Sequence, residues 1–133
     1  MAAERILVVD DEELNRDLLQ QMLEREGYQV AIAANGQEAL ALLRQETFHV
    51  VLTDLKMPGM TGVEAACTLK RLLPSVPILI VTLEITAQLV EQAKSVGIMG
   101  AVQKSDTHEM IRGVEALLRK ETFFNRDKQG QPI

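Results

Sequence analysis

The sequence predicts an α/β domain of five βα units around an open parallel sheet with both faces covered. Three observations predict it. Short apolar runs rich in Val and Ile alternate with longer stretches of helical periodicity. The runs are apolar throughout, the pattern of strands buried on both faces. Four of them deliver polar side chains at or just past their carboxyl ends: Asp10-Asp11, Asp54, Thr82 and Lys104. In an open α/β sheet those ends converge on one crevice, where ligands bind.

Residues 5–9, Arg-Ile-Leu-Val-Val, read as the first strand. Leu14, Leu18 and Met22 then recur at intervals of four with Leu19 and Leu23 beside them, a helix that stops at Gly27. Residues 28–33 form a weaker second strand, and Asn35 is placed to cap a helix carrying Ala39, Leu42 and Leu43. Residues 50–53 make a third, central strand. The Met57-Pro58-Gly59 break is a loop, and Gly62 opens a helix with Val63, Ala66, Leu69 and Leu73.

Pro74 and Pro77 bracket the next turn, followed by a fourth strand at 78–81. A helix over 86–96 ends before Gly97, and 98–103 supply a fifth, less hydrophobic strand. A last helix over 107–120 carries Ile111, Val114 and Leu118 on one stripe. Beyond Glu121 the composition turns polar. Phe123 and Phe124 can pack back, but the remainder reads as a tail or the start of a linker.

The 133 residues suit one domain with a real core, and 47% hydrophobic with 25% charged residues is an ordinary globular mix. A formal charge of −5 argues against a general nucleic-acid surface. The single cysteine, Cys67, excludes an internal disulfide framework and suits a reducing compartment; its helical neighbours make it a packed thiol. No stretch reaches membrane-spanning length, and the N-terminus runs directly into a strand without room for a signal peptide. A cytoplasmic protein is expected.

Three carboxylates at one sheet edge repel one another and call for a countercharge. A divalent cation such as Mg²⁺ takes oxygen ligands and keeps several waters, which fits one or two carboxylates plus phosphate oxygens. Asp11 and Asp54 are the expected direct ligands, with Asp10 acting through water or orienting its neighbours, and the backbone carbonyl of Lys56 completing the set. A carboxylate is also a nucleophile toward phosphorus, giving an acyl phosphate. Lys104 as a point charge and Thr82 as a hydroxyl donor suit the phosphoryl oxygens of a phosphorylated Asp54.

Each residue alone has a plainer reading. Asp11 can cap the helix that follows it, Asp54 can be a turn aspartate before Pro58, and Lys104 a solvated terminus. His49 and His108 fall outside the pocket on this layout, and no Gly-rich phosphate loop, Cys-rich metal cluster or Ser-His-Asp arrangement is evident.

As a set, the motifs resemble the response-regulator receiver domain of two-component signal transduction, over about residues 4–120. Asp10-Asp11 matches the family's acidic pair, Asp54 its phosphoacceptor, Thr82 its switch hydroxyl and Lys104 its lysine. The segment from Asp54 through Leu-Lys-Met-Pro-Gly-Met-Thr to Gly62 is very close to the characteristic stretch. The resemblance implies a doubly wound (βα)5 flavodoxin-like fold with a five-stranded sheet ordered 2-1-3-4-5, and residues 121–133 as a C-terminal tail or linker.

It implies a phosphoaspartate-switched module that takes a phosphoryl group on Asp54 from a histidine kinase or histidine phosphotransfer protein. Transfer would need Mg²⁺, with Mn²⁺ as a substitute. The domain would catalyse its own dephosphorylation and turn over no metabolite. Output would run to a downstream protein or domain through the face of the fourth helix, fifth strand and fifth helix, without membrane or direct nucleic-acid contact.

Departures from the family pattern bear on the switch. Ala101 stands where a Tyr or Phe is usual, Leu83 where a small residue follows the switch hydroxyl, and Ser105 where many members have proline. Lys56 and Glu84 occupy positions that tune phosphoryl lifetime, and a pair between them would cover the site or be a plain exposed ion pair. Two other classes compete: an aspartate-nucleophile phosphatase, which commonly has an acid where Lys56 stands, and an interaction module indifferent to phosphorylation. Glu91, Lys94, Arg112, Glu115 and Arg119 suit a dimer, a partner or solvent equally.

Overall fold

The computed structural model describes residues 3–54, 67–68, 70–71 and 75–124. Its strands are β1 (Arg5–Val9), β2 (Gln29–Ala33), β3 (Val50–Asp54), β4 (Ile78–Thr82), β5 (Gly100–Gln103) and β6 (Phe123–Phe124). They form one sheet in the order β2-β1-β3-β4-β5-β6, every pair parallel. The expected order 2-1-3-4-5 is borne out. A sixth strand, within the stretch read as a tail, extends it.

Alternation along the strands sorts side chains to opposite faces. Leu7, Val9, Val51, Ile78, Ile80 and Ala101 pack on one face with Ala39 of helix Gly36–Gln45 and Ala93 of helix Ala87–Ser95. Ile6, Val8, Val50, Leu52, Leu79, Val81 and Val102 pack on the other with Leu19 and Leu23 of helix Glu13–Arg25 and Met110, Val114 and Leu117 of helix Thr107–Leu118. The sheet is therefore doubly wound, and its central strands need to be apolar on both sides. Residues 67, 68, 70 and 71 are also helical. The loop at Met57-Pro58-Gly59 and most of the helix expected from Gly62 to Leu73 lie outside the described residues, as does 125–133.

Two helical faces differ from expectation. In the first helix Leu19 and Leu23 are buried, while Leu14 is 83% and Leu18 55% exposed. The two leucine stripes lie about 100° apart on the helix, so only one meets the sheet. In the last helix the buried residues are Met110, Gly113, Val114, Ala116 and Leu117, with Ile111 and Leu118 half-buried.

The caps follow their chemistry. Asn35 accepts from the amide of Glu38 at 2.9 Å, and the Glu38 carboxylate accepts from the amide of Ala34 at 2.5 Å. Thr86 and Asp106 cap the two later helices in the same way.

Three helix ends close alike, with paired bonds back to the last turn. Gly27 and Gly97 occupy the left-handed position at φ 95° and 86°, and Lys120 occupies it at φ 64°.

Register brings the polar ends together. Val9 lies opposite Thr53, Asp54 opposite Val81, and Thr82 opposite Gln103. Asp10, Asp54, Thr82 and Lys104 thus share one edge of the sheet.

Candidate functional site

Asp10 follows β1 directly and is 3% exposed. Its amide donates to the carbonyl of Ala33 at 3.1 Å, which holds the chain in the sheet one residue further. Its carboxylate accepts from the amide of Glu12 at 2.9 Å, and its carbonyl from Arg16 Nη1 at 2.8 Å. These contacts turn the chain sharply and leave Asp11 and Glu12 exposed at the rim. The residue at the cap position of the helix is Glu12, without a side-chain cap bond, so Asp11 is not the helix cap.

Asp54 ends β3 and is 8% exposed. Lys104 lies just past β5, where its amide donates to the carbonyl of Thr82 at 2.7 Å and continues the β4–β5 ladder. Its Nζ donates to Asp54 Oδ2 at 2.6 Å and lies 3.5 Å from Asp10 Oδ2 and 3.6 Å from Glu12 Oε1. One ammonium therefore serves three carboxylates.

Burial pushes the Asp10 carboxyl above its usual range, against the opposing pull of the Glu12 amide and the Lys104 charge. Burial acts to lower Lys104. The hydrogen bond to Asp54 and the charges of Asp54, Asp10 and Glu12 outweigh it and hold the ammonium up. At neutral pH the lysine is the fixed countercharge of the cluster.

Asp10, Asp11, Glu12 and Asp54 each offer an oxygen, and these atoms lie within 4.8 Å of one another. Hard oxygen donors, two buried and two facing solvent, fit a divalent cation that retains water. Lys56, whose carbonyl was expected to join them, lies outside the described residues.

Thr82 is half-buried at the end of β4 beside Lys104. Leu83 is 67% exposed, and Glu84 is also exposed. Ala101 is fully buried in the middle of β5, and Ser105 lies in the turn before the last helix. His49 accepts from the amide of Arg5 at the opposite edge of the sheet, and His108 is an exposed residue of the last helix.

Sequence reasoning missed Glu12 as a cluster member and Arg16 as the clamp on Asp10. The consecutive acids at 10–12 were a legible signal for the first; nothing in the sequence marked the second.

The chain matches the response regulator receiver domain over residues 6–122. It is 40% identical over 103 residues to response regulator receiver protein Anae109_2439 of Anaeromyxobacter sp. (strain Fw109-5), covering 75% of this chain but 42% of that protein's length. It is 35% identical over 112 residues to sporulation initiation phosphotransferase F of Bacillus subtilis (strain 168), covering 84% of this chain and 90% of that one. A solved response regulator from Burkholderia pseudomallei, containing a phosphorylated aspartic acid, a calcium ion and citrate, is 28% identical. It superposes with a TM-score of 0.72 over 88% of this chain and 69% of that one.

The chain belongs to the response regulator receiver domains. It is a phosphoaspartate switch, a phosphoacceptor and not a turnover enzyme. Among the described residues no helix is long and apolar enough to cross a membrane.

Proposed function

We propose that Asp54 is the phosphoacceptor and that a histidine kinase or histidine phosphotransfer protein is its donor. The observation that carries this is the Asp54 carboxylate itself, nearly buried, held by Lys104 at 2.6 Å and flanked by further acidic oxygens. An Asp54 carboxylate oxygen attacks the phosphorus of a phosphohistidine. The new O–P bond forms as the N–P bond breaks, and the leaving imidazole takes its proton from solvent. Lys104 then moves from the carboxylate to a phosphoryl oxygen, and the Thr82 hydroxyl donates to another.

Asp10, Asp11, Glu12 and Asp54 would hold Mg²⁺, or Mn²⁺ in its place, with the Lys56 carbonyl as a further ligand. Bound there, the cation offsets charge on the transferred group. Asp10 is fixed by the Glu12 amide and Arg16, so it would orient the cluster, with Asp11 and Asp54 as the direct ligands.

Hydrolysis by water at the same phosphorus resets the domain, with Lys56 and Glu84 at positions suited to tuning its rate. Output passes through the face of helix Ala87–Ser95, β5 and the last helix, because Thr82 and Lys104 lead directly into these elements. A single cysteine and the matched family favour the cytoplasm.

Incubation with phosphoramidate, followed by intact-mass measurement with Mg²⁺ and with a chelator, tests this reading. One phosphoryl group per chain in Mg²⁺ and none in chelator is expected. Catalytic release of phosphate from several small esters without a stoichiometric adduct would contradict it.

A further inference from the structure

The outer edge of β5 is covered by two residues. Phe123 pairs with Gly100 and Phe124 with Ala101, and the Phe123 amide donates to the carbonyl of Met99 at 2.8 Å. The two rings clasp the edge from opposite sides: Phe123 packs with the Leu79, Val114 and Leu117 core, Phe124 with the Ile80 and Ala101 core. The berth exists because two side chains are missing. A Cβ on Gly100 would stand 2.4 Å from the carbonyl oxygen of Phe123, and one on Gly113 would stand 3.3 Å from its ring. The chain enters this berth through Lys120, at φ 64° in the left-handed region that favours glycine.

The same two residues touch both elements that lead out of the phosphoryl pocket. Ala101, opposite Phe124, lies on β5 three positions before Lys104, which follows the strand's end. Lys94, on the helix that follows Thr82, lies 5.0 Å from the centroid of the Phe124 ring. Thr82 and Lys104 are themselves joined by the 2.7 Å backbone bond. With Asp54 unmodified, Lys104 reaches its carboxylate directly. Lys104 therefore links the Asp54 carboxylate to the end of β5. A two-residue strand with half-buried rings is a short grip at the end of that path.

We propose that Phe123–Phe124 is a strap acting in cis, closing the outer edge of β5 while Asp54 is unmodified and leaving it when Asp54 is phosphorylated. The inference rests on the phosphoacceptor reading and deepens it. Release frees the backbone groups of β5 on the output face, so the chain's own C-terminal segment gates access to that face. Coupling is reciprocal: whatever loading does to the strap, loss of the strap does to loading.

The test uses the full chain, with beryllofluoride and Mg²⁺ as the phosphoryl mimic and bound fluoride followed by fluorine NMR. Amide exchange at Phe123 is compared with that of Val51 in the core. On loading, Phe123 protection falls about tenfold with Val51 unchanged, and Phe124→Ala binds beryllofluoride about tenfold more tightly than the parent. Loading with Phe123 protection and Phe124→Ala affinity both unchanged overturns the strap and leaves the phosphoacceptor intact. A Phe123 amide that exchanges freely before loading also overturns the strap. Absence of any bound fluoride overturns both readings.

Discussion

The ammonium of Lys104 lies 2.6 Å from Oδ2 of Asp54, and 3.5 and 3.6 Å from carboxylate oxygens of Asp10 and Glu12. Replacing it with an apolar isostere leaves Asp54 and Asp10 facing each other in a largely buried place. Lys104→Met should therefore lower metal-free stability at pH 7 by about 3 kcal/mol. Millimolar Mg²⁺ should recover more stability in the variant than in the parent. Urea unfolding of both proteins, with and without Mg²⁺, measures this.

The same pair sets a pH dependence in metal-free protein. Lys104 is held above its ordinary value of 10.5 in the fold. Its contribution is thus fully present below pH 10.5 and is lost as pH rises through the higher folded value. The stability gap between parent and Lys104→Met should be constant from neutrality to about pH 10 and shrink above it. Tyr28, also raised from 10.0 by burial, loses stability in the same alkaline range but cancels in the difference.

The first helix separates two leucine stripes cleanly. Leu23→Ala should cost about 2–5 kcal/mol, since Leu23 is fully buried against the sheet. Leu14→Ala, at 83% exposure, should change stability by less than about 0.5 kcal/mol. Chemical denaturation of the two variants reports which stripe faces the core.

Lys120 holds the conformation that Gly27 and Gly97 hold at the other two helix ends. Lys120→Gly removes the left-handed penalty of a side-chain-bearing residue and loses some chain entropy. It should stabilise the protein by about 0.5–1 kcal/mol, read as a rise in the thermal midpoint.

Strand ends were legible because an uninterrupted apolar run fixes where a buried strand stops, and Asp54, Thr82 and Lys104 stand at those stops. The convergence of Asp10, Asp54 and Lys104 followed from parallel pairing alone. Helix faces were less legible: Leu14 and Leu18 have the same spacing as Leu19 and Leu23, and only the sheet decides which stripe is buried. β6 was not readable as a strand, since two phenylalanines make no run and owe their place to the missing side chains of Gly100 and Gly113. Glu12 reads as part of a helical start, and its approach to Lys104 depends on the turn that Asp10 makes.

The most direct measurement places the phosphoryl group on a residue. The protein is incubated with acetyl phosphate and Mg²⁺, trapped by borohydride reduction of the acyl phosphate and sequenced by tandem mass spectrometry, beside Asp54→Asn. Reductive conversion is expected at Asp54 alone, absent without Mg²⁺ and absent in the variant. Modification of another residue in the parent, or an undiminished adduct in Asp54→Asn, would contradict it.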